Sequence, residues 1–403
     1  MRCKMTQPIT LLLISIGLLL AGHGMQLSLL PLHASSLGWS DLEIGLTGAA
    51  YFLGFIIGCL VIPRWLSKVG HIRVFVCLTA LAAISLLLLE SIANQQVWMV
   101  LRFLTGCCLA GIYTTAESWL NEQSDNQGRG TLISIYVVVV LVGMAFGQIL
   151  LGVFPQEYLF RIAAGLMISG ILPIGLFCAD QPIPLIAPRN IQFWMVKQLS
   201  LLPAAGLVLA GIVTGSIWTL APLIGEAKGL PLASIGMMMN AIILGGAVIQ
   251  IPAGRASDVV GRRHLILLLA CFCAFSATGL MFIPAGDNFW LMAGMFFLGG
   301  SSLTLYAICA ADIQDTTSLG RIEASALILL LSSAGSVLGP VIVGLVSALT
   351  LHAFFIATTA AMIILVAIAG LSKPLRLAEV IDLPVSAEND KAPAPVPVLR
   401  RVA

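Results

Sequence analysis

The chain has 403 residues, of which 59% are hydrophobic and only 9% are charged, and its formal net charge is +2. Soluble domains carry about 25% charged residues, so a water-soluble fold of this size could not hide so much apolar surface. The composition therefore excludes an ordinary soluble domain and indicates that lipid covers part of the protein.

The first apolar segment sets the pattern for the rest of the chain. Arg2 and Lys4 precede a run that continues to Pro31 without a small-x-small cleavage site, which is too long for the core of a signal peptide. We interpret this run as the first transmembrane helix. A bilayer needs about 20 apolar residues per helix, and charges, prolines and glycines divide the chain into twelve such spans at 8–30, 44–62, 74–92, 96–117, 131–153, 159–178, 199–221, 234–253, 264–283, 288–311, 323–346 and 351–371.

The lysines and arginines favour one side of these spans. With the N-terminus inside, seventeen lie on the cytoplasmic side, two lie on the other side, and one, Arg102, falls within a span. This asymmetry predicts a multi-pass protein of the inner (plasma) membrane with both termini in the cytoplasm. Six tryptophans lie at or just beyond span ends, so we expect their rings at the membrane–water interface: Trp39, Trp65, Trp98, Trp119, Trp194 and Trp290.

The two halves of the sequence match each other at a nearly constant offset. A shift of 191 residues aligns Gly38 with Gly229 and Gly70 with Gly261. Because six spans are an even number, both halves have the same orientation, as in transporters built from parallel repeats around a central substrate site. The sequence therefore predicts an all-α integral membrane protein with twelve transmembrane helices in two parallel six-helix repeats.

This duplication predicts the domain organisation. We expect an N-terminal six-helix bundle over 1–178, a cytoplasmic linker over 179–198, a C-terminal six-helix bundle over 199–371 and a disordered cytoplasmic tail over 372–403. Glycines at four-residue spacing let helices approach closely, and we interpret four such pairs as packing and rocking surfaces: Gly54/Gly58, Gly143/Gly147, Gly211/Gly215 and Gly335/Gly339.

The connection between the eighth and ninth spans contains glycines, arginines and an aspartate within ten residues. It consists of Gly254, Arg255, Ala256, Ser257, Asp258, Val259, Val260, Gly261, Arg262 and Arg263. This segment resembles the G-x-x-x-D-x-x-G-R-R loop signature of the major facilitator superfamily. The equivalent first-half loop is degenerate, with Pro63 in place of the first glycine and Ser67 in place of the aspartate.

Two further segments support the resemblance. Arg102 to Gly106 in the fourth span resembles the R-x-x-x-G pattern of the superfamily, and the sequence around Glu117 and Arg129 is similar to the YcaD-like subgroup of bacterial transporters. With the duplication, the resemblance covers essentially the whole membrane region. In the superfamily, spans 1, 4, 7 and 10 line the central cavity.

The resemblance implies a gate on the cytoplasmic side. The loop aspartate of the superfamily is thought to hold a neighbouring helix start, where a carboxylate is favourable and an arginine strengthens the contact. Asp258 would then face Arg129 at the start of the fifth span, and we expect these two residues to form a latch. The alternative is that the loop only orients the protein by its positive charge. The expected gate comprises Gly254, Asp258, Gly261, Arg262, Arg263, Arg129 and Glu117.

The fourth span carries a polar stripe. Arg102, Gly106, Tyr113 and Glu117 lie within about 60° of one another on a helix. Ionisable groups within a membrane are costly and indicate function, and the resemblance gives Arg102 a proton-coupling or substrate-anchoring role. Alternatively, Arg102 could snorkel to the interface beside Trp98. Glu117, roughly 22 Å from Arg102, belongs either to the gate or to a solvated helix end.

Other spans offer polar candidates for the substrate or proton pathway. His23 and Gln26 lie three residues apart on one face of the first span, and a histidine that titrates near neutral pH can carry a coupling proton. Trp218, Asn240 and Tyr306 are candidate cavity donors or stacking surfaces. For each of these five residues the alternative is an ordinary interhelical contact.

The sequence contains no phosphate-binding P-loop, no HExxH motif and no GxSxG motif. We therefore expect no enzyme activity, cofactor, metal or nucleic-acid partner. The predicted function is secondary active transport of a small organic solute by a monomer through alternating access, coupled to protons and with export favoured. Passive or uptake transport remains an alternative, and a membrane-embedded enzyme or a sensor is the alternative from another class.

Overall fold

The computed structural model describes residues 7–123, 129–177, 193–284, 286–317 and 319–371; for residues 129, 130, 193, 194, 258, 321 and 322 it describes the backbone alone. Every regular element in this part of the chain is a helix. The tail over 372–403 and most of the linker lie outside the described residues, and the end of the linker is a 3-10 helix, Phe193–Gln198.

The helices of the first half are α1 (Gln7–Ser36), α2 (Asp41–Val69), α3 (His71–Ser91), α4 (Gln95–Glu122), α5 (Arg129–Leu150), α6 (Leu159–Ser169) and α7 (Ile171–Phe177). The helices of the second half are α8 (Leu201–Ala227), α9 (Leu232–Val260), α10 (Arg262–Met281), α11 (Asn288–Thr316), α12 (Arg321–Ser347) and α13 (Ala353–Leu371). Twelve helical segments are long and apolar enough to cross a membrane, and they confirm the twelve predicted spans.

The sixth span is one such segment, but it is not a continuous helix. It comprises α6 and α7, which are separated at Gly170. A Cβ at Gly170 would crowd the backbone carbonyl of Ser15 on α1. The break therefore lies against a neighbouring helix rather than in lipid, which is where irregular backbone is tolerated in a membrane protein.

Lipid-facing stripes are visible on the peripheral helices. On α5, Val138, Val142, Phe146 and Ile149 are half exposed or more, and their spacing of three or four residues places them on one helical face. A large exposed apolar stripe of this kind is compatible with a hydrocarbon environment and not with water.

The turns between helices repeat between the two halves. Gly38 and Gly229 have φ values of 80° and 71°, and Gly70 and Gly261 have φ values of 92° and 86°. Each pair is separated by the predicted offset of 191 residues. Glycine adopts such positive φ values without steric cost, unlike other residues. The duplication therefore includes the backbone conformation of these turns as well as their sequence.

The predicted loop between the eighth and ninth spans is mostly helix, and this corrects the sequence interpretation. Helix α9 continues through Val260, and Gly261 alone connects it to α10. Gly70 connects α2 to α3 in the same way. The motif residue Gly254 therefore lies in the last turns of a helix that extends beyond the predicted span.

All four glycine pairs lie at close helix–helix contacts. A Cβ at Gly54 would overlap the Phe103 carbonyl oxygen on α4, and a Cβ at Gly147 would overlap the Ala21 carbonyl oxygen on α1. Similarly, a Cβ at Gly339 would overlap the Ile212 carbonyl oxygen on α8. The packing role is confirmed, but these contacts lie within one half, so the pairs are not surfaces on which the two halves rock.

The tryptophans at span ends do not all lie at the membrane interface. Trp65 and Trp290 are 54% and 61% exposed, but Trp98 and Trp119 are almost completely buried. Trp98 donates a hydrogen bond from Nε1 to the Ile92 carbonyl oxygen at 2.7 Å, so its polar atom is satisfied inside the bundle. Position along a span did not show which way these two rings point.

We expect Gly261→Ala to lower the stability of the protein by about 1–2 kcal/mol, because an alanine must adopt a backbone conformation that favours glycine. The measurement is thermal unfolding of the purified protein in detergent. Gly279→Ala is the matched control: a Cβ at Gly279 meets open space in the last turn of α10, so this variant should be as stable as the wild type or more stable. Equal transition temperatures for both variants would contradict the turn assignment.

Candidate functional site

A central cavity of about 280 Å³ lies between the two halves. Helices α1, α2, α4 and α5 of the first half contribute His23, Leu27, Tyr51, Phe52, Phe55, Tyr113 and Met144. Helices α8, α11 and α12 of the second half contribute Thr214, Trp218, Tyr306, Leu329, Ser332, Ser333 and Ser336. No Asp, Glu, Lys or Arg side chain is among these described lining residues.

The wall from the first half is aromatic. Tyr51 is the centre of a chain of rings: it stacks on His23 at a centroid distance of 6.2 Å and contacts Phe55 at 6.4 Å. Phe55 in turn lies 6.3 Å from Tyr113. Offset aromatic contacts of this kind are favourable, and they present ring faces and edges to a solute.

The wall from the second half is richer in hydroxyl groups. Ser332, Ser333 and Ser336 lie at i, i+1 and i+4 on α12, beside Thr214 and Trp218 on α8. Ser336 donates to the Gly211 carbonyl oxygen at 3.2 Å, and Thr214 donates to the Ala210 carbonyl oxygen at 2.7 Å. The cavity thus presents stacking surface on one side and hydrogen-bonding groups on the other.

Arg102 lies inside the bundle, not at the membrane interface. The side chain is only 7% exposed, and the guanidinium carbon lies 4.5 Å from the centroid of the Tyr51 ring. A cation over an aromatic face is attracted by the ring quadrupole. This placement disagrees with the snorkelling alternative, since the guanidinium does not extend to the surface.

The rest of the predicted stripe on α4 divides between packing and the cavity. A Cβ at Gly106 would overlap the Tyr51 carbonyl oxygen, so this glycine brings α2 and α4 together. Tyr113 lines the cavity. Glu117 is exposed, and its carboxylate lies within electrostatic range of the Tyr136 and Tyr306 hydroxyls, which come from different halves.

Of the other predicted pathway residues, four line at least one of two cavities and one lines neither. His23, Trp218 and Tyr306 line the central cavity, and Gln26 lies beside Arg102 in a smaller cavity next to it. Asn240 on α9 is half-buried and lines neither cavity, so the structure does not bring it to the others. The position of Asn240 in the eighth span did not show which way its side chain points.

The predicted gate residues lie on the face where α1 begins and α2 ends, which we call the basic face. Arg262 forms an ion pair with Asp315 at the end of α11, and Arg263 donates to the Ala369 carbonyl oxygen on α13. Both contacts join helices of the second half and do not cross between the halves. The side chains of Asp258 and Arg129 lie outside the described residues, so the latch stays a prediction.

The first half has a counterpart of the Arg262 contact that the sequence interpretation missed. His71, which is 191 residues before Arg262, lies with Nε2 3.1 Å from Ser118 Oγ and 3.6 Å from Glu122 Oε1 at the end of α4. The offset that aligns Gly70 with Gly261 could have identified this position. In each half, the first residue of one helix therefore contacts an acidic residue at the end of another helix.

The main omission of the sequence interpretation was the lining from α2 and α12. The family resemblance directed attention to spans 1, 4, 7 and 10, whereas Tyr51, Phe52 and Phe55 come from the second span. Ser332, Ser333 and Ser336 come from the eleventh span. Three serines within five residues of an apolar span were the available signal, because polar groups in a membrane helix usually turn away from lipid.

The two halves meet at the membrane face opposite the basic face, which we call the opposite face. A Cβ at Gly45 on α2 would overlap the Pro340 carbonyl oxygen on α12, and a Cβ at Gly236 on α9 would overlap the Gln148 carbonyl oxygen on α5. At the basic face, α4 and α11 pack mainly within their own halves, and Glu117 is exposed. The central cavity is therefore closed towards the opposite face and open towards the basic face.

Comparisons with known proteins agree with this architecture. The model of the Major Facilitator Superfamily matches residues 12–192 and 204–401. An uncharacterized MFS-type transporter of Yersinia pestis (strain Pestoides F) is 29% identical over 345 residues, which cover 84% of this chain and 89% of the relative. An uncharacterized MFS-type transporter YcaD of Salmonella arizonae is 28% identical over 340 residues, which cover 83% of this chain and 87% of the relative.

Two solved structures share the fold. The nucleoside transporter NupG superimposes with a TM-score of 0.71 at 12% identity, covering 91% of this chain and 98% of that one. A bacterial homologue of the human lysosomal transporter Spinster superimposes with a TM-score of 0.68 at 14% identity, covering 90% of this chain and 95% of that one.

We expect Gly45→Leu to open the cavity towards the opposite face, because a side chain there cannot fit beside Pro340. The measurement uses Ser332→Cys as a reporter in a cysteine-free background, labelled with a membrane-impermeant maleimide from each side of oriented vesicles. Without Gly45→Leu the reporter should react from the basic face, and with it also from the opposite face. Gly165→Leu is the matched control, since a Cβ there meets open space. Unchanged one-sided labelling in the Gly45→Leu variant would rule out this closure.

Proposed function

Because the chain belongs to the major facilitator superfamily, we propose that it is a proton-coupled secondary transporter that moves a small amphipathic organic solute across the bacterial inner membrane. The observation that carries this proposal is the central cavity, which lies between two like-oriented halves whose described contacts are concentrated near one face. A cavity of this kind can be exposed to each side in turn when the halves rock.

The lining supports an amphipathic solute. Ring faces from Tyr51, Phe55 and Tyr113 offer stacking to an apolar or aromatic body, while Ser332 and Ser333 offer hydroxyl groups on the facing wall. A volume of about 280 Å³ suits a small molecule. A polyanion would have no compensating set of cations among the described lining residues.

Proton coupling is proposed through Arg102 and His23. The His23 ring lies at the cavity wall, within electrostatic range of Arg102, and its Nδ1 is 3.4 Å from Gln26 Oε1. The positive charge of Arg102 contributes to the electrostatic field at the His23 ring. A solute that changes this field on binding also changes the proton affinity of His23. This is the minimum requirement for coupling solute binding to proton binding.

We propose export as the direction and place both termini in the cytoplasm, so that the basic face is cytoplasmic. The lysine and arginine asymmetry supports this orientation. With it, the open cavity faces the cytoplasm, where a solute to be exported would enter. Uptake by the same fold would require the solute to enter first from the opposite face, and passive transport would require no gradient.

We expect solute-dependent proton flux in proteoliposomes that contain the wild-type protein and an internal pH dye, tested with a panel of small aromatic and aliphatic solutes under an imposed pH gradient. Arg102→Gln should abolish the coupled flux because the charge at the cavity is lost. Arg161→Gln is the control, since Arg161 is exposed at the opposite-face end of α6. Solute transport that persists when the gradient is collapsed would refute proton coupling.

We also expect Asp258→Asn to weaken closure of the basic face, because the amide loses the charge that would hold Arg129 and the start of α5. The reporter Ser332→Cys should then react faster from the basic face under conditions that favour the closed state, and the transport rate should fall. Val259→Ala, at an exposed neighbouring position, serves as the control. Normal transport and unchanged labelling in Asp258→Asn would leave only the orienting role of the basic loop.

A further inference from the structure

A second, much smaller cavity lies next to the central cavity, towards the opposite face. Its volume is about 10 Å³, and its polar lining consists of Gln26, Thr47, Arg102 and Thr219. Leu27 and Trp218 line both cavities, so the two spaces are neighbours. The smaller cavity has room for one atom the size of an oxygen.

Two buried polar groups that can donate a hydrogen bond line this space without a partner. Gln26 and Thr219 are buried, and neither Gln26 Nε2 nor Thr219 Oγ1 has a hydrogen-bond partner among the described residues. Thr47 is occupied, since its hydroxyl donates to the Ile44 carbonyl oxygen at 2.8 Å. No carboxylate in the described part of the chain forms an ion pair with Arg102.

This arrangement is unfavourable as it stands. A buried charge without an opposite charge and buried polar atoms without partners both oppose folding. The contact of Arg102 with the Tyr51 ring offsets only part of that cost. A water molecule could satisfy a donor but would leave the positive charge uncompensated, whereas an anionic oxygen would satisfy both the donors and the charge.

We propose that Gln26, Arg102 and Thr219 form a subsite for a single anionic group, and that the transported solute is therefore a monocarboxylate with an apolar or aromatic body. This inference rests on the proposed transport function and makes its solute class specific. One carboxylate oxygen occupies the small cavity, and the rest of the solute lies among the rings and hydroxyl groups of the central cavity, which has no charged side chain among its described lining residues.

The subsite also bridges the two halves. Gln26 on α1 and Arg102 on α4 belong to the first half, while Thr219 on α8 belongs to the second. Gly48 on α2 lies directly against Thr219, where a Cβ would overlap its side chain. When the halves part at the opposite face, the wall formed by Trp218 and Thr219 moves away from Arg102, so the cation becomes accessible from that face.

The test is a titration of sodium formate, the smallest carboxylate, against the purified full-length protein in detergent, with the thermal transition temperature as the readout. We expect a saturable increase for the wild type and a loss of formate affinity of about tenfold or more for Arg102→Gln, since a charge-assisted hydrogen bond is removed. Arg161→Gln should respond like the wild type, and neutral formamide should produce no saturable shift.

Two milder variants keep the test decisive if Arg102→Gln does not fold. Thr219→Val and Gln26→Met keep side-chain size and remove one donor each, so each should weaken formate binding several-fold. The proposal is overturned if formate gives no saturable shift in the wild type, or if it shifts the wild type and these variants equally. Formate binding that depends on Arg102 but is accompanied by no solute flux would instead overturn the transport function and leave the subsite in place.

Discussion

The close backbone contact of helices within each half is the interaction on which the rest of the structure depends. In lipid there is no hydrophobic force to hold apolar helices together, so association relies on packing and interhelical hydrogen bonds. Glycines such as Gly54, Gly147 and Gly339 supply that packing inside a half. Contacts between the halves are concentrated near the opposite face, and a bundle joined mainly at one end can separate there without disrupting either half.

The positions of the charged residues also follow from the lipid environment. Most of the described lysines and arginines lie near the ends of the helices, where water or lipid headgroups can solvate them. The ion pair between Arg262 and Asp315 is partly exposed and contributes only about 0–1 kcal/mol. Arg102 is different, because it is buried among α1, α2, α4 and α8 without a carboxylate in the described part of the chain. A charge retained at such a cost indicates a function that needs it.

Much of the fold could be predicted from the sequence. The bilayer fixes the length of a span, and the lysines and arginines show which connections between spans lie on the same side of the membrane. The repeat offset of 191 residues even anticipated the paired turns at Gly70 and Gly261. The sequence could not show side-chain direction: Trp98 and Trp119 point inward although they lie near span ends, and Asn240 does not reach the cavity. It also underestimated α9, since a helix can continue beyond the bilayer into water. For the cavity lining, His23, Tyr113, Trp218 and Tyr306 were among the predicted residues. Leu27, Thr214, Tyr51 and the serines of α12 were not, since hydropathy alone does not identify the face that meets the other half.

The central claim is that two rigid halves rock around the cavity between them. The most direct test measures distances between spin labels in lipid nanodiscs, with one pair across the opposite face at Asp41 and Leu349 and another across the basic face at Lys68 and Val259. Alternating access predicts that a change of pH or addition of solute lengthens one distance distribution while it shortens the other. Distances that stay fixed at both faces, or that lengthen together, would contradict it.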